Sequence, residues 1–470
     1  MGETSDIDVA IIGGGFTGGA LAYHLVHFNP TARIAVFEPR EIVGGGLAYD
    51  DADPAHRINV PAARMSLIPG DDAHFARWLA ETGAADDDPA ARTPDGALFP
   101  RRGVFGRYAA SHIEPLIAEG RVAHVKARVE SLAAEGPLWA VATDGRGTFR
   151  ARFVVLAATH PAPGLPAPLA PIASDPRVVA DALVPGALAA IAPDARVVIL
   201  GTGLTMADVV ASLDGQGHRG PIVALSRRGL RSRGHPKHAS EPFGDFAEVP
   251  PRASALLKTI RRTIRAAEAQ GLSWHAVLDA VRGQAQSFWP TLPPAEQSRI
   301  VRHLRVYWDA HRFRIAPQVE AVLDRRTAEG TLRVLAASAV AFRARPDDIE
   351  SLIRRRKRSE TETLHTDHVV VTTGPAHGAV FTTQPFLSGL RAEGLAKPDH
   401  LGLGIACDGE SRALDANGVP NERLFVAGPL ARATFGELMG LPQVSEHALR
   451  VAVRVSHALY TRDDRSAQVA

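Results

Sequence analysis

The chain has 470 residues, 45% hydrophobic and 22% charged, a globular composition with room for two or three domains. Its 53 basic and 51 acidic residues leave a net charge of +2, too weak a field to argue for nucleic acid or an anionic membrane as partner. The single cysteine, Cys407, excludes a disulfide framework, a cysteine-built metal or iron–sulfur centre and a CxxC redox pair, so redox chemistry would need a bound cofactor.

The opening residues MGETSDID have neither the basic nor the apolar segment of a signal peptide, and Asp6 stands where a myristoylation pattern wants Ser or Thr. No apolar run approaches the roughly 20 residues that span a bilayer, so a cytoplasmic location is expected. The first structured element is DVAII, an apolar run that reads as a strand buried on both faces. It enters a glycine loop in which Gly13, Gly15 and Gly18 form GxGxxG, with Phe16 and Thr17 inside the motif, and an alanine-rich helical pattern follows. In such a loop the first glycine makes the turn, the second lets a pyrophosphate approach, and the third lets helix and strand pack. The next strand, RIAVFE, ends at Glu38, 20 residues past Gly18, where an acid accepts hydrogen bonds from ribose hydroxyls and repels a 2′-phosphate. Arg40 follows it closely and is grouped with the cofactor-binding residues.

A third apolar strand, RFVVLAA, leads to the proline-rich stretch 162–176, an expected extended domain crossing. A second strand–loop–helix unit follows, VVILGTGLTMADVVASL, with Gly201 and Gly203 in the first two glycine positions, Leu204 and Thr205 at the helix start, and Met206 in the third. The strand after it ends at Ser226, Arg227 and Arg228, where the first unit has Glu38. Guanidinium groups there favour a 2′-phosphate, unless they are merely solvated at a strand end. An acid suits FAD and arginines suit NADPH, so the two loops together imply a flavin held against a nicotinamide. Residues 253–326 have helical spacing and read as an inserted helical subdomain. RRRKR at 354–358 reads as a solvated hairpin tip, and DHVVV before TTGP as another strand.

Several stretches carry a family resemblance: IIGGGFTGGALAYHL, GGGLAYDDADPAHRINVPAARMS, FPRRGVFGRY, VVILGTGLTMADVV, ALSRRGLRSRGH, YWDAHRFRIAP, VVVTTGP and LFVAGPLARATFGELMGLPQVSEHA. The chain resembles the bacterial FAD/NAD(P)-binding oxidoreductases with two dinucleotide-binding domains, related to flavin-dependent N-hydroxylases and monooxygenases. The resemblance implies an α/β fold of two doubly wound, Rossmann-like domains, with the NADPH domain inserted in a discontinuous FAD domain. The expected parts are 1–165 and 371–470 for FAD, and 190–370 for NAD(P)H including a helical insert at about 250–326.

On that basis Asn59 can hydrogen-bond the flavin ring or substrate, or simply stabilise its loop, with Pro61 fixing the backbone beside it. Arg64 can neutralise reduced flavin or an anionic substrate, or form a surface ion pair. Arg101, Arg102 and Tyr108 lie in a segment resembling a FAD-contacting stretch, in which one arginine would reach phosphate. His311, Arg312 and Arg314 can bind an anionic substrate or the nicotinamide phosphates, or fasten the helical insert to the core. Gly374 marks the return from the NADPH domain, and Gly428 with Pro429 ends a strand near the ribityl chain or pyrophosphate. Pro429 replaces the acid common in relatives at that point, and His160 stands where they have glycine. The FxGxxxH signature is lacking, and Asp144-Gly145 reads as a hairpin turn.

The expected activity is that of an FAD-dependent monooxygenase. NADPH would reduce the flavin, and O₂ would give a flavin hydroperoxide that hydroxylates a small nitrogen-containing or aromatic substrate. Urate hydroxylation is one activity the family implies. A flavin reductase without oxygenation is the competing reading, and a non-enzymatic flavin module the third.

Overall fold

The structure, a computed structural model, describes residues 7–238 and 240–469, with side chains through residue 461. The N-terminal residues behind the signal-peptide and Asp6 arguments lie outside it. The apolar runs form sheet interiors because Val and Ile side chains find cover on both faces. Ile7–Ile12 lies between Gly147–Leu156 and Ile34–Phe37, parallel to both. Val9, Ile11, Val154 and Val155 are fully buried there. Across this first sheet the order is Arg412–Leu414, Pro420–Val426, Gly147–Leu156, Ile7–Ile12, Ile34–Phe37, Val122–Val125. A hairpin of Val129–Glu135 and Leu138–Thr143 joins it through Gly147–Leu156, and Asp144-Gly145 sits in the tight turn between Thr143 and Gly147.

The second sheet runs Thr361–Thr366, Ile349–Arg355, Leu332–Ala344, Ile222–Ser226, Val197–Leu200, His368–Val371, Val178–Val179. Its long strand serves two purposes. Leu332–Ala336 pairs parallel with Ile222–Ser226, and Ala337–Ala344 pairs antiparallel with Ile349–Arg355. The RRRKR run caps the hairpin between Ile349–Arg355 and Thr361–Thr366. Every strand of the second sheet falls between Val178 and Val371, while the first sheet draws strands from both sides of that span. One doubly wound layer is therefore inserted within another. The proline-rich crossing is not uniformly extended: Ala167–Ile172 is a 3-10 helix whose Leu169 and Ile172 are buried in the second core.

The helical region contains Ala253–Glu268, Trp274–Phe288, Pro294–His303, Arg305–Arg312 and Pro317–Ala328. The first four gather around Leu256, Val277, Val281 and Phe288. The fifth buries Val319 and Leu323 with the helix Leu204–Gly215, as the crossover helix of the second sheet. The insert is pinned to the C-terminal part of the chain: Trp289 Nε1 donates to the Ala433 carbonyl at 2.8 Å, and Arg282 Nη2 to the Leu441 carbonyl at 2.5 Å. The last helix, Gln443–Val469, packs Val451 and Val455 against Leu21 and Leu25 of the helix Phe16–Phe28. Among the described residues, no helix is long and apolar enough to cross a membrane.

Candidate functional site

The strand Ile7–Ile12 hands the chain to Gly13, whose φ is +104° and where a Cβ would stand 2.6 Å from the Ala157 carbonyl oxygen. No side chain fits that turn. Gly15 heads the helix Phe16–Phe28 without a side-chain cap, so first-turn N–H groups and the positive helix end are available to an anion. At Gly18 a Cβ would lie 1.9 Å from the Gly13 carbonyl oxygen, the close helix–strand packing expected of a third glycine. Phe16 and Thr17 are buried in the first helical turn. A Cβ on Gly428 would lie 2.6 Å from Thr17 Oγ1, so the turn Gly428–Ala431, with Pro429 in it, abuts the first loop. The Gly428 N–H donates to His447 Nδ1 at 3.0 Å, and burial pushes His447 down to about 3, so the ring is neutral.

Glu38 is buried beneath this loop. It accepts the Gly14 N–H at 2.9 Å, and the Arg40 N–H, Nε and Nη2 at 3.1, 2.9 and 3.2 Å. Burial opposes ionisation, yet the Arg40 fork holds the carboxyl below the usual range. Four donors fill the lone pairs of the carboxylate, so a ribose reaches it only as Arg40 turns out. Arg40 Nη1 is buried without a partner, a donor left over for a ligand. With that one movement the residues fit the adenosine diphosphate half of FAD.

The second loop repeats the geometry. Gly201 has φ +130° and a Cβ there would stand 2.3 Å from the Thr372 carbonyl oxygen. Gly203 heads the helix Leu204–Gly215 uncapped, with nothing within 4 Å of an added Cβ, and Met206 fills the third-glycine place at 0% exposure. Ser226 is used inside the loop, its Oγ 2.8 Å from Thr202 Oγ1 and accepting the Gly229 N–H at 3.0 Å. Arg227 is exposed. Arg228 Nη1 donates to the Tyr307 hydroxyl at 2.8 Å, and its guanidinium lies 5.0 Å from that ring. Gly374 lies in the turn after His368–Val371, at the return toward the first domain.

Between the two layers lies a cleft of about 1250 Å³, lined by Asn59, Pro61 and Arg64 from the first, Leu204, Thr205 and Asp208 from the second, and Arg312 from the insert. The Asn59 carbonyl accepts from His235 Nε2 at 3.0 Å, and burial pushes His235 down to about 4. Arg64 is exposed on the cleft wall. Arg282 is pushed down to about 9, first by burial and then by the charge of Arg312, with Arg64 adding to it. The acids Glu437 and Asp279 offset part of this charge, which leaves Arg64 and Arg282 as the cations facing an anion here. Arg312 pairs with Glu437, both side chains 7% exposed, and Arg314 forks onto Asp279 at 2.8 and 3.1 Å. The Arg312–Glu437 pair fastens the insert to the C-terminal part of the chain and the Arg314–Asp279 pair lies within the insert, while Arg312 and Arg314 still line the cleft. The floor is tied across the domains by Arg102, whose Nη2 binds Asp208 at 2.9 Å and whose Nε binds the Arg57 carbonyl at 3.0 Å. His56 makes a second crossing, between Asp51 Oδ2 at 2.6 Å and Ser212 Oγ at 3.0 Å.

Some expected residues sit elsewhere. Of the FPRRGVFGRY arginines, Arg102 holds Asp208 while lining the cleft, and Arg101 pairs with the exposed Asp87 at 3.0 Å. Tyr108 is fully buried and bonds His74 Nδ1 at 2.5 Å and the Leu67 N–H at 3.0 Å, amid Phe75, Trp78 and Phe105. His311 parts company with Arg312: its Nδ1 bonds the Tyr307 carbonyl at 2.7 Å, and it faces a different cavity inside the insert. His160 lies at the crossing, its Nδ1 3.3 Å from that of His377, and burial pushes the two rings down to about 4 and about 2. Cys407 is buried, and burial pushes its thiol up to about 12. The sequence reading missed Arg282, Asp279, Asp208 and His235. Asp279 and Arg282 stand three apart on one helix, a spacing that shares a face, but nothing local says which face meets the cleft.

Residues 10–161 match the family model described as FAD-NAD(P)-binding. The chain thus carries a FAD-NAD(P)-binding domain. A search of curated protein sequences gave no match. Among solved structures, the chain is similar to the ornithine hydroxylase of Pseudomonas aeruginosa, with TM-score 0.65 and 15% identity over 96% of this chain and 99% of that one. It is similar to the ornithine N-hydroxylase of Kutzneria sp. 744, solved with reduced FAD, NADP⁺ and L-ornithine, with TM-score 0.64 and 18% identity over 98% and 100%. A thioredoxin reductase of Lactococcus lactis gives TM-score 0.53 at 11% identity, over 97% and 99%. At these identities the likeness establishes the fold: two dinucleotide-binding layers of the FAD/NADPH flavoprotein type.

Proposed function

We propose that the chain is an FAD- and NADPH-dependent monooxygenase that hydroxylates a small nitrogen-containing substrate. The observation that carries this is the cleft between the two layers, lined at Leu204 and Thr205 by the first turn of the uncapped second-loop helix and, across from it, by Asn59, Arg64, Arg282 and Arg312. Hydroxylation of an amine balances as R–NH₂ + O₂ + NADPH + H⁺ giving R–NHOH + H₂O + NADP⁺. Bound FAD supplies the hydride acceptor and the oxygen-activating chemistry.

The protein's part is placement. The Gly13–Gly18 turn and the helix after it hold the flavin pyrophosphate, and Glu38 takes the ribose once Arg40 turns out. The Gly201–Gly203 turn holds the nicotinamide pyrophosphate, and exposed Arg227, with Arg228 released from Tyr307, meets the 2′-phosphate. Asn59 and Arg64 line the cleft, where they orient a polar ring and offset negative charge. Arg64 and Arg282 offer charge to an anionic group of the substrate or the nicotinamide nucleotide.

The hydroxylases named above act on ornithine, and a structure of L-lysine 6-monooxygenase from Pseudomonas syringae is similar at TM-score 0.64 and 18% identity. They support a nitrogen substrate. A thiol-based reductase is disfavoured by the lone, buried Cys407. The test is O₂ and NADPH consumption by the FAD-loaded protein against a panel of amines, purines including urate, and aromatic acids. A substrate that raises NADPH use while lowering H₂O₂ release per NADPH supports oxygenation. NADPH use that follows added electron acceptors, with H₂O₂ matching NADPH throughout the panel, contradicts it.

A further inference from the structure

The helical insert and the C-terminal part of the chain line a second, open-sided cavity of about 660 Å³, separate from both glycine loops. Its walls are apolar: Ile260, Leu278, Val281, Phe288, Ile300 and three tryptophans, Trp274, Trp289 and Trp308. Phe313 and Met439 line both this cavity and the interdomain cleft, so they form the partition between them. Charged residues, among them Glu268, Arg305, Asp309, Arg432 and Glu437, complete the lining, and such a mainly apolar volume with a minority of polar groups is typical of a small-molecule site.

One polar group in its lining is out of balance. Arg432 is 5% exposed, yet its Nε and Nη2 have no hydrogen-bond partner. Its Nη1 reaches only the thioether of Met439, at 2.7 Å, a weak acceptor. The carboxylates around it are engaged elsewhere: Asp309 with Arg305 Nε at 3.2 Å, Glu437 with Arg312 and with Trp308 Nε1 at 3.3 Å, and Asp399 with the N–H groups of Leu401 and Leu403. Among the described residues no acid lies within ion-pair distance of Arg432, and burial, followed by the charge of Arg305, pushes it down to about 10. A buried guanidinium with two unused donors is costly to keep unless something supplies acceptors. The two donors on one edge match the two oxygens of a carboxylate.

We propose that this cavity binds an apolar monocarboxylate, its chain or ring among the tryptophans and its carboxylate forked by Arg432. The site needs no cofactor chemistry, so it stands or falls separately from the proposed reaction. His311, which the cleft does not use, lines this cavity on the Trp274 side.

The test is a titration of the FAD-loaded protein with decanoate, its methyl ester and decylamine, followed by tryptophan fluorescence and calorimetry. Decanoate is expected to bind saturably and at least tenfold more tightly than the ester, with decylamine weaker still. Arg432→Gln should bring decanoate down to the affinity of the ester, and Ala285→Phe, which fills the cavity from its wall, should abolish both. An unchanged visible flavin spectrum shows that each variant is folded. Equal binding of acid and ester by the unaltered protein overturns the Arg432 anchor without recourse to any variant. No saturable binding, or binding untouched by Ala285→Phe, overturns the site.

Discussion

Arg102 and Asp208 meet at 2.9 Å across the boundary between the two nucleotide-binding layers, with their side chains 13% and 8% exposed. The bond fixes the floor of the cleft, and so the distance between the two glycine loops. Removing one member of a buried pair costs about 3–5 kcal/mol, because the other charge is left unsolvated. Arg102→Met and Asp208→Asn should each lower the urea midpoint, while Arg102→Met combined with Asp208→Leu should recover much of the loss. A double-variant loss equal to the sum of the two single losses would show that the pair contributes nothing as a pair.

The glycine positions allow protein packing to be separated from ligand approach. At Gly13 an added Cβ meets the Ala157 carbonyl oxygen at 2.6 Å, whereas at Gly203 it meets nothing within 4 Å. Gly13→Ala should therefore lose flavin and stability together. Gly203→Ala should fold normally, keep its flavin and raise the NADPH KM at least tenfold, because only the ligand requires that space. Flavin-to-protein ratio, melting temperature and steady-state kinetics distinguish these outcomes. A Gly203→Ala protein with unchanged KM contradicts the placement of the nicotinamide phosphates.

How much of this was legible beforehand differs by element. The strands DVAII, RVVIL and HVVV announce themselves because burial on both faces demands unbroken apolar runs, and the glycine loops do so because their backbone excludes side chains. The cleft is another matter. Asn59 and Arg312 are 253 residues apart in the chain, and only the pairing of two layers and the anchoring of the insert brings both to one wall. Arg102 was singled out without its partner, since Asp208 lies on a helix whose inward face no local pattern reveals. His311 and Arg312 are adjacent in sequence, yet a helix end sends them into different cavities.

Nucleotide preference should rest on the end of the strand Ile222–Ser226. Arg227→Ala should raise the NADPH KM by tenfold or more and leave the NADH KM nearly unchanged, in keeping with a lost charge-assisted bond of about 1.5–3 kcal/mol. Arg228 also holds the Tyr307 hydroxyl, so Tyr307→Phe serves as the control for loosening the insert. If Arg228→Ala and Tyr307→Phe alter KM for both nucleotides equally, Arg228 is an anchor for the insert and not a phosphate ligand.

Buried neutral histidines set the acid limit of stability. Burial pushes His447 down to about 3, His24 to about 4 and His235 to about 4, against an ordinary value of 6.5. The unfolded chain binds these protons more readily, so stability is intact above pH 6.5 and falls as pH drops from there toward 3–4. Each such ring contributes up to about 1.4 kcal/mol per pH unit within that window. His447→Gln, which can still accept from Gly428 and donate to Ser411, should flatten the slope of unfolding free energy between pH 6.5 and 4. An unchanged slope contradicts a neutral, buried His447.

The central claim is that one cleft brings a flavin and a nicotinamide together. Anaerobic mixing of FAD-loaded protein with NADPH tests it most directly, read as the loss of oxidised-flavin absorbance. Stoichiometric FAD, rapid bleaching by NADPH and much slower bleaching by NADH are expected. A protein that cannot be loaded with FAD, or a bound flavin that NADPH leaves oxidised, would contradict the account.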